Sequence, residues 1–232
     1  MKAGAVGRVM RGRWLKFLDS AHGGGVPESG VAEEVFEELD RRYCEEQRHY
    51  HNWAHIAACL DELETARSLA LHPVTVELAL WFHDAVYVAG APDNEQRSAR
   101  MARDAAQRMN LPPAIVQEVK YLVLSTRYLI GDETEKDGST RLCPRDRVLM
   151  RDIDLSILGK PPAEFDRYEE AIRREYGFVP DAERWKRRIA ILEGFLALPR
   201  IYETEHFAKR YEWQARRNLG RSVSRLRKLL TG

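Results

Sequence analysis

The chain has 232 residues, 44% of them hydrophobic and 31% charged, with a formal net charge of +1. That length fits one domain with a sizeable core, and so small a net charge gives no global argument for a nucleic-acid or membrane partner. Cys44, Cys59 and Cys143 are odd in number, far apart and without CxxC spacing, which suits a reduced cytosolic protein and argues against a disulfide framework or a cysteine-ligated zinc site. The opening MKAGAVGRVMRGRWLKF is interrupted by arginines and lacks the apolar core of a signal peptide. No segment approaches the roughly 18 apolar residues of a membrane span, so a cytoplasmic location is expected.

Taken in chain order, the pattern is helical almost throughout. Residues 1–30 read as an N-terminal extension ending in the loop HGGGVPESG. Val31, Val35, Leu39 and Tyr43 fall on one helical face over 31–43. A second helix is expected over 52–71, with Asn52 as its N-cap. A third, apolar one over 73–87 carries the doublet His83–Asp84 inside LWFHDAVY. AGAPDN (89–94) has turn chemistry. Helices near 95–109 and 112–129 follow, the latter opening on Pro112-Pro113. GDETEKDGSTRLCPRD (131–146) reads as a long polar loop. Helices near 145–158, 163–176, 181–197 and 204–229 complete the chain. With no strand alternation and no internal repeat, the expected fold is all-α and single-domain, with a helical domain over 31–220 and a basic end over 221–232.

A histidine and an aspartate inside an apolar run are costly to bury unless each has a partner. A neighbouring carboxylate capping a core histidine would suffice structurally. A hard-metal site is the functional alternative: imidazole nitrogen and carboxylate oxygen converging from several helices. His55 lies in RHYHNWAHIAACL, upstream of the doublet, and Asp152 and Asp154 lie in RVLMRDIDLSILG, downstream of it. The order H…HD…D on helices resembles the HD superfamily of metal-dependent phosphohydrolases. RHYHNWAHI, LWFHDAVY with DNEQRSA, RDIDLSILG, YEEAIRREY and PRIYET…ARRNL resemble one bacterial branch of predicted HD phosphohydrolases, over about residues 31 to 220. The resemblance implies the helical HD-domain fold and His55, His83, Asp84 and Asp154 as metal ligands. Asp152 and Asp154 are two apart and point to different helix faces. Asp154 is preferred, which leaves Asp152 behind the ligands or facing solvent. Many two-metal members have further histidines between the doublet and the last aspartate. None occurs here between Asp84 and Asp152, and STRY (125–128) stands where one is expected, so one metal per chain is expected.

The activity so implied is hydrolysis of a phosphate ester or anhydride of a small, nucleotide-like substrate. The cofactor is a divalent ion: Mn²⁺, Fe²⁺, Co²⁺, Ni²⁺, Zn²⁺ or Mg²⁺. Asp84 would both ligate and orient water, and Glu95 is the candidate acid, although an acid in a first helical turn also has a simple dipole explanation. Arg48, Arg173 and Arg188, with His51, are candidate phosphate contacts; for each arginine a solvated helix face, or pairing within YEEAIRREY, is the structural alternative. His22 and His72 are expected to face solvent, and His206 has no evident partner. Two other readings compete. One is an inactive, metal-stabilised nucleotide-binding domain. The other is a nucleic-acid or membrane-surface module using the basic helix HFAKRYEWQARRNLGRSVSRLRKLL. The spacing of Val223, Leu226 and Leu230 favours packing of that helix, so nucleic acid is not the expected partner. HD-type domains often pair, but no heptad seam demands a homodimer.

Overall fold

The computed structural model describes residues 3–22, 29–127 and 144–231. It is all-α, and no strand occurs among the described residues. Ten α-helices follow one another: α1 (Ala3–Ala21), α2 (Ser29–Tyr43), α3 (Trp53–Ala66), α4 (Pro73–Phe82), α5 (Asn94–Arg108), α6 (Pro113–Leu124), α7 (Pro144–Asp154), α8 (Pro162–Glu175), α9 (Asp181–Ala197) and α10 (Glu205–Thr231). The chain divides into two compact units, and the division falls within α7, between Met150 and Arg151. The polar stretch 131–143, Cys143 and Tyr128 lie outside the described residues.

The first unit is built around α4. Val76, Leu78, Ala79, Leu80, Trp81 and Phe82 are fully buried, so the helix is apolar all round and must be enclosed on every side. α1, α3, α5 and α6 enclose it. The segment read as an N-terminal extension is therefore part of this core. On α1, Met10, Trp14, Phe17 and Leu18 are buried. The Trp14 ring packs edge-on to Trp81 at 5.2 Å, and its Nε1 donates to Ala32 O. Gly7 allows close approach to α2, since a Cβ there would lie 3.1 Å from Asp40 Oδ1. Asn52 caps α3 as expected, its side chain accepting from the Ala54 amide at 2.9 Å. The start of α4 is held from afar: the buried Asp146 carboxylate accepts from the amides of Leu71 and His72 at 2.6 and 2.8 Å.

Two histidines expected in solvent have partners. The ring of His22 lies 2.9 Å from Leu18 O and 3.0 Å from Met109 O. His72 Nδ1 lies 3.0 Å from a Glu118 carboxylate oxygen.

In the second unit, α9 and the 3₁₀ turn Leu155–Gly159 pack on α10. Tyr202 donates to Leu155 O, and Asn218 donates to Leu158 O and Lys160 O. Val223 and Leu226 are buried. The arginines of α10 find acids and carbonyls: Arg216 with Glu212 and three carbonyls of 196–199, Arg221 with Asp166, and Arg227 with Glu193. The basic helix thus has the packing role that its spacing suggests. His206 Nε2 lies 3.1 Å from Arg210 Nη1. No helix among the described residues is long and apolar enough to cross a membrane.

Gly159 sets how closely the 3₁₀ turn meets α10. A Cβ there would fall 2.3 Å from Tyr211 Cβ and 2.8 Å from Tyr211 Cα. A backbone atom cannot yield as a flexible side-chain tip does. Gly159→Ala should therefore cost about 2–3 kcal/mol of overpacking, read as a lower urea midpoint with Gly220→Ala as the control, since a Cβ at Gly220 meets nothing within 4 Å.

Candidate metal centre

The doublet does not sit inside a helix. α4 ends at Phe82, and residues 83–86 form a turn. His83, Ala85 and Val86 of that turn are nonetheless buried. A backbone that leaves a helix in a buried place must find other partners for its amides and carbonyls. Here side chains provide them. His83 Nδ1 lies 3.0 Å from Leu80 O, and Tyr43 donates to Trp81 O at 2.9 Å. Arg48 donates to Asp84 O at 2.6 Å and to Ala85 O at 3.0 Å. Ser98 Oγ accepts from Val86 N and donates to Val86 O. Asn94 accepts from Val88 N and donates to Val88 O.

The turn directs both members of the doublet toward α3. His55 Nε2 and His83 Nε2 are 3.0 Å apart. Asp84 Oδ2 lies 3.1 Å from His83 Nε2 and 3.3 Å from His55 Nε2. The carbonyl of Leu80 accepts the Nδ1 proton of His83, which leaves Nε2 facing the other two groups, as a donor to Asp84 while protonated and as a ligand lone pair once that proton is gone. Burial opposes ionisation of Asp84, but the charges of His83 and His51 and the hydrogen bonds from His55 and His83 outweigh it. Its carboxyl is held well below the usual carboxylate range, so it carries negative charge near neutral pH.

Three mutually close donor atoms, two nitrogens and one carboxylate oxygen, suit a divalent cation. Two ligands at right angles on bonds of about 2.1 Å are separated by about 3.0 Å, and a tetrahedral pair by about 3.4 Å. The triangle lies nearer the first value. It has the form of one face of an octahedron, the arrangement of two-histidine, one-carboxylate sites. The residues present therefore fit such an ion.

Other residues gather round this group. Cys59, one turn after His55 on α3, is buried with its Sγ 3.7 Å from His55 Nδ1. It lies within 4.8 Å of the histidine donors. The spacing argument that set cysteines aside as ligands therefore overlooked one at the site. The i, i+4 relation of His55 and Cys59 was the available signal. The His51 ring stacks on Tyr87 at 3.9 Å, and Tyr50 meets the His55 ring at 4.7 Å. Tyr43 is buried and its hydroxyl pKa is raised well above the usual value, by burial first and by the Asp84 charge second. Tyr50 and Tyr87 lie inside the segments RHYHNWAHI and LWFHDAVY and Tyr43 on the apolar face of α2, but no spacing singled them out as site residues.

The other candidates have the following surroundings. Arg48 is buried and spends its donors on Glu45, His51 O, Asp84 O and Ala85 O; these contacts make it a scaffold of the turn and leave a phosphate little to bind. Glu95 stands half-buried in the first turn of α5, where the helix dipole favours an acid. Asp154, Arg173 and Arg188 belong to the second unit. Asp154 closes α7 and is half-buried. Arg173 is exposed and paired with Glu170 at 2.6 Å. Arg188 donates to the buried Glu169 and to Tyr168 Oη, which accounts for it as a packing ion pair. Asp152 neither faces solvent nor stands behind a ligand: it is buried and accepts from the amides of Glu203 and Thr204 and from the Thr204 hydroxyl at the start of α10. Burial pushes its carboxyl pKa up against those bonds.

Comparison with protein-family models, with curated proteins and with solved structures finds no match in any of the three. The functional reading rests on the site and on the sequence resemblance.

Removing Arg48 would orphan the carbonyls of Asp84 and Ala85. Arg48→Gln is expected to destabilise the protein by about 3 kcal/mol in urea denaturation, the scale for breaking a buried charged network.

Proposed function

We propose that the protein is a metal-dependent phosphohydrolase acting on a small phosphorylated, nucleotide-like substrate, with His55, His83 and Asp84 holding one divalent ion. The observation that carries this reading is the triangle of two imidazole nitrogens and a carboxylate oxygen at 3.0, 3.1 and 3.3 Å. Two imidazole nitrogens and an ionised carboxylate this close, in a buried place, call for a cation among them. The resemblance adds Asp154 as the fourth donor. When bound, the ion polarises a phosphoryl oxygen and lowers the pKa of a water molecule.

The chain's own groups supply the rest. Asp84 has a second carboxylate oxygen with which to orient the attacking water and take up its proton. His51, held against Tyr87, stands beside His55 with its ring centroid 6.0 Å away. In this reading its role is to contact the substrate phosphate. The tyrosine and histidine rings round the group limit water and strengthen its electrostatics.

A two-histidine, one-carboxylate face is also the ligand set of iron enzymes that activate oxygen. The two readings separate by experiment. The wild type should purify without chelator at about one divalent ion per chain by mass spectrometry. Asp84→Ala and His55→Ala should hold little metal while keeping native helicity, and Asp154→Ala should lower metal affinity. With Mn²⁺ and no oxygen, the wild type should release phosphate from a nucleotide panel, and Asp84→Ala should lose that activity by a factor on the order of 10³ or more. Metal bound but no phosphate released, with oxygen consumed on Fe²⁺ loading, would instead favour the oxidative reading. Negligible metal in the wild type after reloading would remove both.

A further inference from the structure

The first unit also carries a basic cavity between α2, α5 and the turn after α4, about 390 Å³ in volume. That size is within the range of small-molecule sites. Val86 and Met101 give it an apolar floor over the buried Phe82, while Arg97 and Arg100 of α5 stand at its wall. None of His55, His83 and Asp84 lines it.

Its charge is uneven. Of the other ionic groups of the wall, Arg42 has Glu38 at 3.6 Å, Arg108 has Glu34 at 2.6 Å, and Asp104 has Arg103 at 2.8 Å. Among the described residues no ion pair or side-chain hydrogen bond engages Arg97 or Arg100. They are three apart on one helix and so lie side by side. Two adjacent cations repel, and the helix bears that cost unless an anion sits between them. Guanidinium forks match phosphate oxygens.

We infer that this cavity binds a small organic phosphate dianion with an apolar or aromatic body, its charged end on Arg97 and Arg100 and its body on Val86 and Met101. The site is separate from the metal centre and does not depend on the activity proposed above.

Calorimetric titration of the full chain with 1-naphthylphosphonate, a dianion that resists hydrolysis, tests this. Wild type should bind it, and more tightly than inorganic phosphate, which has no body for the apolar floor. Arg97→Gln/Arg100→Gln should weaken binding at least tenfold with an unchanged helical spectrum, because both side chains reach the surface and carry no partner. Asp84→Asn should bind as wild type does. Raising salt should weaken wild-type binding more than binding to the double variant. The inference is overturned if the probe does not bind at millimolar concentration, if the double variant binds it as wild type does, or if Asp84→Asn abolishes binding, which would place the probe at the metal centre.

Discussion

The structure depends on one constraint: the chain leaves helix α4 at Phe82 while it is still inside the core. Past that residue the backbone polar groups have neither a helix nor water to satisfy them. Tyr43, Arg48, His83, Asn94 and Ser98 take over, each bonding a main-chain group between Leu80 and Val88. A regular helix through Tyr87 would have turned His83 and Asp84 about 100° apart around its axis. The broken turn lets both aim at His55. The polar residues of this region therefore do two things at once: they satisfy the backbone, and by doing so they bring the side chains of His83 and Asp84 to one point beside His55.

That point gathers like groups that would otherwise repel or stay unpaired. The Leu80 carbonyl orients the His83 ring through Nδ1, so that Nε2 faces Asp84 and His55. Aromatic rings and Cys59 close round it. The geometry of this group comes from buried backbone bonds and not from exposed side chains. In the proposed hydrolase, a group so held would keep its atoms in place without further ordering cost.

Much of the fold was legible in the sequence because it follows local rules. The i, i+4 spacing of Val35 and Leu39, the Asn52 cap and the Pro112-Pro113 opening each fell where residue chemistry put them. The end of α4 was not legible. Ala85, Val86 and Tyr87 continue the apolar run, and hydrophobicity reports burial without saying whether the backbone is helical. What ends the helix is a set of side-chain bonds from residues up to 38 positions away in sequence. The same distance effect hid the work of Arg48, which as a letter in a polar loop looks like a free cation, and of Asp152, whose partners begin 51 residues later. α1 was obscured by Gly4, Gly7 and Gly12, which lower helix propensity, and its burial depends on Phe36, Trp81 and Phe82 from other helices. The convergence of His55 with the doublet was anticipated through resemblance, and the geometry supplies a physical reason for it in the first unit.

The Asp146 cap on α4 has a consequence for the order in which the molecule forms. The amide of Leu71 is bound by a carboxylate 75 residues further along the chain. During synthesis at about 5–20 residues per second, α4 emerges several seconds before the residue that seals its first turn. The most apolar helix of the protein, with the ligand turn at its far end, therefore waits with an open N-terminus until α7 has been made. A nascent chain halted before Asp146 would hold every residue of the His55–His83–Asp84 triangle yet lack the lock on the helix that carries two of them. The triangle is encoded by residue 84, but the contact that holds the start of its helix comes only at residue 146.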